Sequence, residues 1–235
     1  MASMNRMNTP MVGEAISHSK ASASERGAGF PLVRRSRGRV ALKTVMDVIV
    51  SLAVAPFAII ATGVAAILIK LEDGGPVIYR RRVIGPEGDF DAFKLRSMRV
   101  DADQILEREP QLRAAFEATY KLRNDPRVTR VGKYLRRSSL DELPQLWNVL
   151  RGQMSLVGPR MIIRSEIEKF GPYGNIFQWV KPGLTGLWQV SGRQEVSYED
   201  RVKMDVFYLQ NWSLWLDLKI LLKTAWKVLK REGAY

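Results

Sequence analysis

Two adjacent carboxylates, Asp141 and Glu142, stand in SSLDELPQLWNVLRGQMSLVGPR (residues 138–160) among Arg136, Arg137, Arg151 and Arg160. Acids at the start of a short helix commonly do no more than cap free N–H groups and meet the helix dipole. The cations around this pair give it a second use. Arg136 lies one to two turns upstream and Arg160 follows the Gly-Pro turn of VGPR, while Lys94 and Arg96 end an expected hairpin strand, so several anion-binding groups can converge. A helix N-terminus with arginines holds a carboxylate's pKa down and keeps it ionised. An ionised Asp141 is then placed to attack phosphorus, provided that the substrate's phosphates are neutralised. Glu142 is suited to help hold a Mg²⁺ bridging a diphosphate, because Mg²⁺ commonly takes one or two carboxylates plus substrate oxygens.

Composition removes the competing chemistries. The chain has 235 residues, no cysteine and one histidine, His18, in a segment without apolar periodicity. Thiolate nucleophiles, histidine general bases and His- or Cys-ligated zinc therefore lack their essential part. No Walker-type glycine loop and no dinucleotide fingerprint occurs. With 37 Lys+Arg against 24 Asp+Glu, a net charge of +13, the partner surface is anionic: nucleic acid, acidic lipid or a phosphorylated substrate.

The elements that position these residues can be read from the chain. Residues 1–37 form a disordered basic tail. VMDVIVSLAVAPFAIIATGVAAILI (45–69) carries one charge, Asp47, and is long enough for a membrane helix. Pro56 near its middle removes a backbone donor and clashes with the carbonyl of Leu52, so the helix is expected to bend there. The halves, about 11 and 13 residues, reach roughly 16 and 20 Å against a hydrocarbon core of about 30 Å. Basic clusters flank both ends (Arg34, Arg35, Arg37, Arg39 and Lys43 before, Lys70 and Arg80–Arg82 after), and basic flanks prefer the cytoplasmic side. A re-entrant helix-break-helix over 38–70 satisfies both, ahead of a straight span, with a soluble core helix third. Residues 71–235 form a cytoplasmic unit.

Within that unit, residues 76–98 read as a hairpin around Gly85-Pro86-Glu87-Gly88 and 99–123 as a largely exposed helix. NDPRVTRVGKYLRR turns and restarts as a short basic helix. LDELPQLWNVLRG reads as a helix with Asp141 and Glu142 at its start, an apolar stripe of Leu143, Leu146, Trp147 and Leu150, and Gly152 as its cap. KPGLTGLWQVSGRQ (181–194) is too irregular for a helix and reads as a functional loop. From Ser213 a helix places Lys219, Lys223, Lys227 and Lys230 within a sector of roughly 80°, opposite Leu214, Leu218, Leu221, Ala225 and Val228. That helix is either core-packed with a solvated lysine face or, with Trp212, Trp215 and Trp226, interfacial on a bilayer. The fold class is mainly α with a small β-hairpin, monotopic in the membrane, with interfacial amphipathic helices.

Taken together, the basic start and Pro-containing apolar segment (39–70), DGGPVIYRRRVIG, FKLRSM, DPRVTRVGKYLRRSSLDELPQLWNVLRGQMSLVGPR, KPGLTGLWQVSGR and DVFYLQNWSLWLDLKILLKT resemble the bacterial sugar transferases, monotopic polyprenol-phosphate phosphoglycosyl transferases. The pieces occur in the family's order over residues 39–235, and the compact size and terminal REGAY are most similar to the exopolysaccharide-initiating galactose- or glucose-phosphate branch. The resemblance implies transfer of a sugar 1-phosphate from a UDP-sugar to undecaprenyl phosphate, releasing UMP, at the cytoplasmic face of the bacterial inner membrane. It implies Asp141 as the nucleophile of a phosphosugar-enzyme intermediate, Asp141 and Glu142 as the Mg²⁺ site, and Lys94, Arg96, Arg136, Arg160 and Arg193 as the substrate phosphate and nucleotide binders. The loop 181–193 helps to hold the nucleotide, and Pro56 marks the membrane break. Inner-membrane lipid, downstream glycosyltransferases and a homodimer follow as partners, and nucleic acid does not. The chain reads Gly-Pro-Arg-Met161 where the family has Gly-Pro-Arg-Pro.

Two other readings account for part of the sequence. A non-catalytic basic peripheral protein binding anionic lipid or nucleic acid explains the charge but neither the acidic pair nor the Pro-containing apolar segment. A scaffold of a polysaccharide assembly complex leaves the intact Lys94, Arg136, Asp141, Glu142, Arg160 and Arg193 without a purpose.

Overall fold

A 37-residue helix, α1 (Arg37–Asp73), carries the apolar stretch without interruption. The computed structural model describes residues 36–119, 122, 124–192 and 196–230, so residues 1–35 of the expected basic tail, the terminal REGAY and Arg193 lie outside the described residues, while Ser36 and Arg37 of that tail belong to the start of α1. Ser36 starts α1 by accepting the Arg39 N–H on its hydroxyl, and Gly74 ends it at φ 68°, a left-handed turn that glycine adopts without strain. Helical hydrogen bonding runs through Pro56, so the two expected halves are joined without an unwound break. Proline deprives the Leu52 carbonyl of its intrahelical donor, but hydrogen bonds on either side propagate the helix past that gap.

The buried residues of α1 are Lys43, Asp47, Ser51, Ala58, Ala65 and Ile69. At about 100° per residue they share one face roughly 80° wide. Around the rest of the circumference Val45, Ile49, Leu52, Phe57, Ile59, Ile60, Val64, Ile67 and Leu71 are exposed. By length and composition α1 is able to cross a membrane. Its buried seam is held to the body at both ends. Lys43 Nζ donates to Asp217 Oδ2 at 2.7 Å and to the Val157 carbonyl at 2.9 Å. At the far end Asp73 pairs with Arg96, and Glu72 accepts the backbone N–H groups of Arg130 (2.8 Å) and Val131 (3.2 Å).

The hairpin forms as the sequence predicts: β1 (Ile78–Val83) pairs antiparallel with β2 (Phe90–Leu95), Val83 opposite Phe90 and Ile78 opposite Leu95. The free edge of β2 is capped by one buried side chain, Asn148, which accepts the Phe93 N–H (3.0 Å) and donates to the Asp91 carbonyl (2.8 Å). Asn148 thus does for two backbone groups what a third strand would do.

The single helix expected after the hairpin is two, α2 (Ala102–Arg108) and α3 (Pro110–Thr119), because Pro110 bars an α-helical conformation at Glu109. Next come α4 (Arg130–Ser138), a 3₁₀ turn (Leu140–Glu142) and α5 (Gln145–Leu150). On α5 the buried positions are Gln145, Leu146, Asn148 and Val149, whereas Trp147 is exposed beneath the Arg151 guanidinium, so the expected apolar stripe is displaced by about one residue.

A second, parallel pair, β3 (Ser155–Val157) with β4 (Gly183–Thr185), has no counterpart in the sequence reading. Irregular 3₁₀ structure over Arg164–Gln178, interrupted at Gly171, connects them. The segment read as a loop from 181 instead contains β4 and a short helix, α6 (Leu187–Ser191). Two helices finish the chain, α7 (Tyr198–Gln210) and α8 (Leu214–Lys230).

The main core gathers Ala58 of α1, Val83 and Phe90 of the hairpin, Leu146 and Val149 of α5, Leu156 and Val157 of β3, Trp188, Tyr208 and Ile220. Asp217 is fully buried among them and is satisfied by three donors: Lys43 Nζ, Tyr208 OH at 2.7 Å and Trp212 Nε1 at 3.0 Å. The inward face of α8 is therefore Asp217 and Ile220, and Leu218 and Val228, expected opposite the lysines, are exposed with Trp215, Leu222, Trp226 and Leu229.

Candidate active site

The acidic pair does not sit on the first turn of α5. It occupies the preceding 3₁₀ turn, which follows α4 through Ser139 at φ 58°. That left-handed residue reverses the chain and brings Asp141 and Glu142 back beside the end of α4, where Arg136 lies. Helix α4 is itself seated closely: a Cβ on Gly132 would lie 2.0 Å from the Ser97 carbonyl oxygen, so only glycine allows the approach. One turn later the Arg136 Nε donates to Ser97 Oγ at 2.8 Å. Lys94 completes the β2 row Phe90, Ala92, Lys94, and its Nζ donates to Glu142 Oε1 at 2.7 Å.

The two acids are thus placed in different situations. Glu142 is half-exposed and ion-paired to Lys94. Asp141 is buried, 8% exposed, and among the described residues its carboxylate is in no salt bridge. Burial pushes its pKa up to about 6, and the neighbouring Glu142 adds to the rise, against Lys94 and Arg136, which pull it down. The sequence-based expectation of a depressed pKa is therefore reversed: desolvation outweighs cations that stand near without touching. Burial also makes the Arg136 guanidinium less basic than usual, opposed by the fields of Asp141 and Asp125.

The arginines sort by what they hold. Among the described residues, six arginines are at least partly buried: Arg81, Arg96, Arg127, Arg136, Arg160 and Arg201. Three carry carboxylate partners: Arg81 with Glu166, Arg96 with Asp73, and Arg127 with Asp125. Arg96 also donates to the carbonyls of Pro76 (2.6 Å) and Met98 (3.0 Å), so its fork is spent on fastening the end of α1 to the hairpin. That geometry sets Arg96 apart from the other residues expected to bind phosphate. Arg136, Arg160 and Arg201 have no carboxylate within ion-pair reach among the described residues.

Arg160 is held by a different set of contacts from the Lys94–Glu142 pair. Its segment extends β3 by a further bridge to Gly183. There the backbones pack so closely that a Cβ on Gly183 would lie 2.1 Å from the Gly158 nitrogen. Met161, at the position where the family has proline, is buried in the core, so the turn is fixed by β-pairing rather than by a ring. The Arg160 N–H donates to Asp205 at 3.1 Å. Its guanidinium lies 5.5 Å from the centre of the Trp188 ring, and that of Arg201 lies 5.0 Å from the same ring. Sequence reasoning missed Arg201 and Trp188. SYEDRVKMD looks like the solvated start of a charged helix, and nothing local distinguishes Arg201 from Lys203.

No group of three or more His, Cys, Asp or Glu side chains that could hold a metal occurs among the described residues. Among the described residues the Asp141–Glu142 pair thus has no third such side chain beside it to complete a metal site. Two hard oxygen donors fit Mg²⁺ if a substrate diphosphate supplies the remaining inner oxygens.

Comparison with known proteins matches residues 38–231 to the bacterial sugar transferase family. A UDP-galactose-lipid carrier transferase of Erwinia amylovora is 47% identical over 199 residues, covering 83% of this chain and 42% of that protein. An undecaprenyl-phosphate galactose phosphotransferase of Salmonella typhimurium is 50% identical over 168 residues, covering 69% and 35%. The exopolysaccharide production protein ExoY of Rhizobium meliloti is 48% identical over 173 residues, covering 72% and 76%. The chain spans less than half the length of the first two relatives and about three quarters of the third. The family match over 38–231 establishes that this chain, with its helical architecture, hairpin and seated acidic pair, belongs to the bacterial sugar transferases.

Proposed function

We propose that the protein transfers a sugar 1-phosphate, galactose or glucose, from a UDP-sugar to undecaprenyl phosphate, the first membrane step of exopolysaccharide synthesis. The observation that carries this reading is the division of labour in the pair: Glu142 is engaged by Lys94 while Asp141, buried, keeps its carboxylate out of any ion pair. A desolvated carboxylate with a pKa of about 6 is ionised at neutral pH and is more nucleophilic than a hydrated one. An Asp141 oxygen attacks the phosphorus that carries the sugar, an Asp–O–P bond forms, and the bond to the bridging oxygen breaks to release UMP. An oxygen of undecaprenyl phosphate then attacks the same phosphorus, the Asp–O–P bond breaks, and the carboxylate is restored. Arg136, steadied by Ser97, offers its remaining donors to the phosphoryl oxygens as charge develops. Mg²⁺, held by Asp141 and Glu142 with the substrate diphosphate, would supply neutralisation of the departing phosphate.

Location at the cytoplasmic face of the inner membrane is supported by α1. Its apolar surface is exposed around most of the circumference, yet Lys43 near its start and Glu72 and Asp73 at its end all bind the same polar body. A helix whose two ends return to one body fits a re-entrant or in-plane placement better than a crossing. The exposed strip of α8, with Lys219 close to the Trp215 ring (5.4 Å) and Lys230 to that of Trp226 (4.5 Å), suits an interfacial helix.

The test is to incubate membranes containing the protein with a panel of UDP-sugars and undecaprenyl phosphate and to measure UMP. One UDP-hexose should release UMP, and without acceptor the protein itself should retain sugar-phosphate label. Asp141→Asn should lose both, and full turnover by that variant would overturn the mechanism.

A further inference from the structure

We infer that Arg160 and Arg201, gathered on the ring of Trp188, form the subsite for the nucleotide phosphate of the donor and of the UMP that leaves. Arg201 would thereby be a substrate-binding residue. The inference rests on the UDP-sugar reading above and adds Arg201 to the residues that hold the donor.

Three observations support it. The first is the sorting of buried arginines. A partly buried guanidinium is expensive unless its charge is met, and Arg81, Arg96 and Arg127 meet theirs with carboxylates. Among the described residues Arg160 and Arg201 have no such partner; Arg201 donates to the Val196 carbonyl at 3.2 Å. They face each other closely enough that Arg160, after burial, lowers the basicity of Arg201. The Asp205 carboxylate stands near Arg160 and accepts its N–H, but among the described residues it forms no salt bridge with either guanidinium, so two like charges held together call for an anion from elsewhere.

The second observation is positional. Arg201 is on α7, Arg160 on the extension of β3, and Trp188 on α6, so three separate elements bring these groups to one indole. The backbone contacts that lock this convergence, Gly158 against Gly183 and Gly186 against the Gly158 carbonyl, admit no Cβ. A merely solvated arginine would need none of this.

The third is a deficit of partners at the same indole. Trp188 Nε1, under both guanidiniums, and Asp205 Oδ1, on the carboxylate that accepts the Arg160 N–H, are buried without a hydrogen-bond partner. Buried polar atoms are normally satisfied, so this cluster is less complete than the rest of the core. Paired guanidinium forks match the oxygens of a phosphate.

The experiment uses the full chain in detergent micelles, with UMP as the probe and uridine as the phosphate-free control. By calorimetric titration Arg201→Gln should weaken UMP binding roughly tenfold or more, the scale of a lost hydrogen bond to a charged group, and leave uridine unaffected. Arg201→Lys, which keeps charge but loses the fork, should fall between. Arg82→Gln, which removes an exposed arginine paired to Asp91, should leave UMP affinity unchanged. In turnover, Arg201→Gln should raise the KM for the UDP-sugar and not that for undecaprenyl phosphate.

Dicarbonyl modification of wild-type arginines, read by mass spectrometry, needs no variant to fold: UMP should protect Arg160 and Arg201 but not Arg82. UMP affinity within twofold of wild type in a folded Arg201→Gln protein, absence of protection, or a rise confined to the acceptor's KM would each overturn the inference. If no UDP-sugar yields UMP, the transferase reading fails by itself, whereas UMP binding that depends on Arg201 would still support the subsite. An active transferase whose UMP affinity ignores Arg201 sinks only the subsite.

Discussion

Asp141 ionises only near pH 6 because most of its hydration is gone, and two consequences with opposite signs follow. For chemistry, the nucleophile is the anion, so in the free enzyme the rate of label transfer from the donor onto the protein should fall as pH drops through 6. It should be roughly tenfold slower at pH 5 than at pH 7.5, measured by quenched single-turnover labelling. For stability, a carboxyl whose folded pKa is raised favours the folded state below the ordinary carboxylate range and loses that contribution as pH rises to about 6. Asp141→Asn has no such loss. It should be inactive yet more stable than wild type above pH 7, by about 2–3 kcal/mol, with the gain vanishing near pH 4 in denaturant or thermal melts. The same scale shows where sequence reading stops. Asp141, Lys94, Arg136 and Arg160 stand out in the chain as candidates, because paired acids among cations have a recognisable use. Arg96 and Arg201 could not be told apart from their neighbours, because what separates them is a partner: Asp73 for one, no carboxylate for the other.

At the scale of elements, α4 is the part that sets the distance between Arg136 and Asp141, and it is held by three contacts. Thr129 caps it, Glu72 of α1 adds an acid to its N-terminal N–H groups, and Gly132 seats it on Ser97. Glu72→Gln should cost about 0.5–1 kcal/mol through the weakened helix-terminus charge and lower the melting temperature by a few degrees, with most activity kept. Gly132→Ala should do much more, since its methyl must push α4 away from Ser97 and carry Arg136 with it. The expected result is a loss of turnover larger than the loss of stability accounts for, visible as reduced kcat in the fraction that remains folded. The hairpin was legible because its Gly-Pro-Glu-Gly turn fixes the register locally. The β3–β4 pair was not, because three-residue strands far apart in sequence leave no periodicity to read. The continuity of α1 through Pro56 was hidden for another reason: proline removes one hydrogen bond, and whether the helix survives depends on what packs along it.

For the whole molecule, the exposed surfaces of α1 and α8 and the charge of +13 act together. The lysines of α8 adjoin its exposed Trp215, Leu222 and Trp226 strip, an arrangement that seats rings at the headgroup level and ammonium groups on acidic lipid. In vesicles of mixed zwitterionic and anionic lipid, brominated acyl chains should quench the tryptophan fluorescence of the wild type. Most of that quenching should disappear in Trp215→Phe/Trp226→Phe. Unchanged quenching in the double variant would place this helix away from the bilayer.

The Lys43–Asp217 pair has a consequence in time. Its partners are 174 residues apart in the chain, and α1 emerges long before α8 exists. At about 5–20 residues per second, synthesis leaves the Lys43 ammonium without its carboxylate for roughly 10–35 seconds. During that interval Asp47, one turn along α1, is the carboxylate whose field reaches the ammonium, and the arrival of Asp217 completes the pairing and closes the body onto α1.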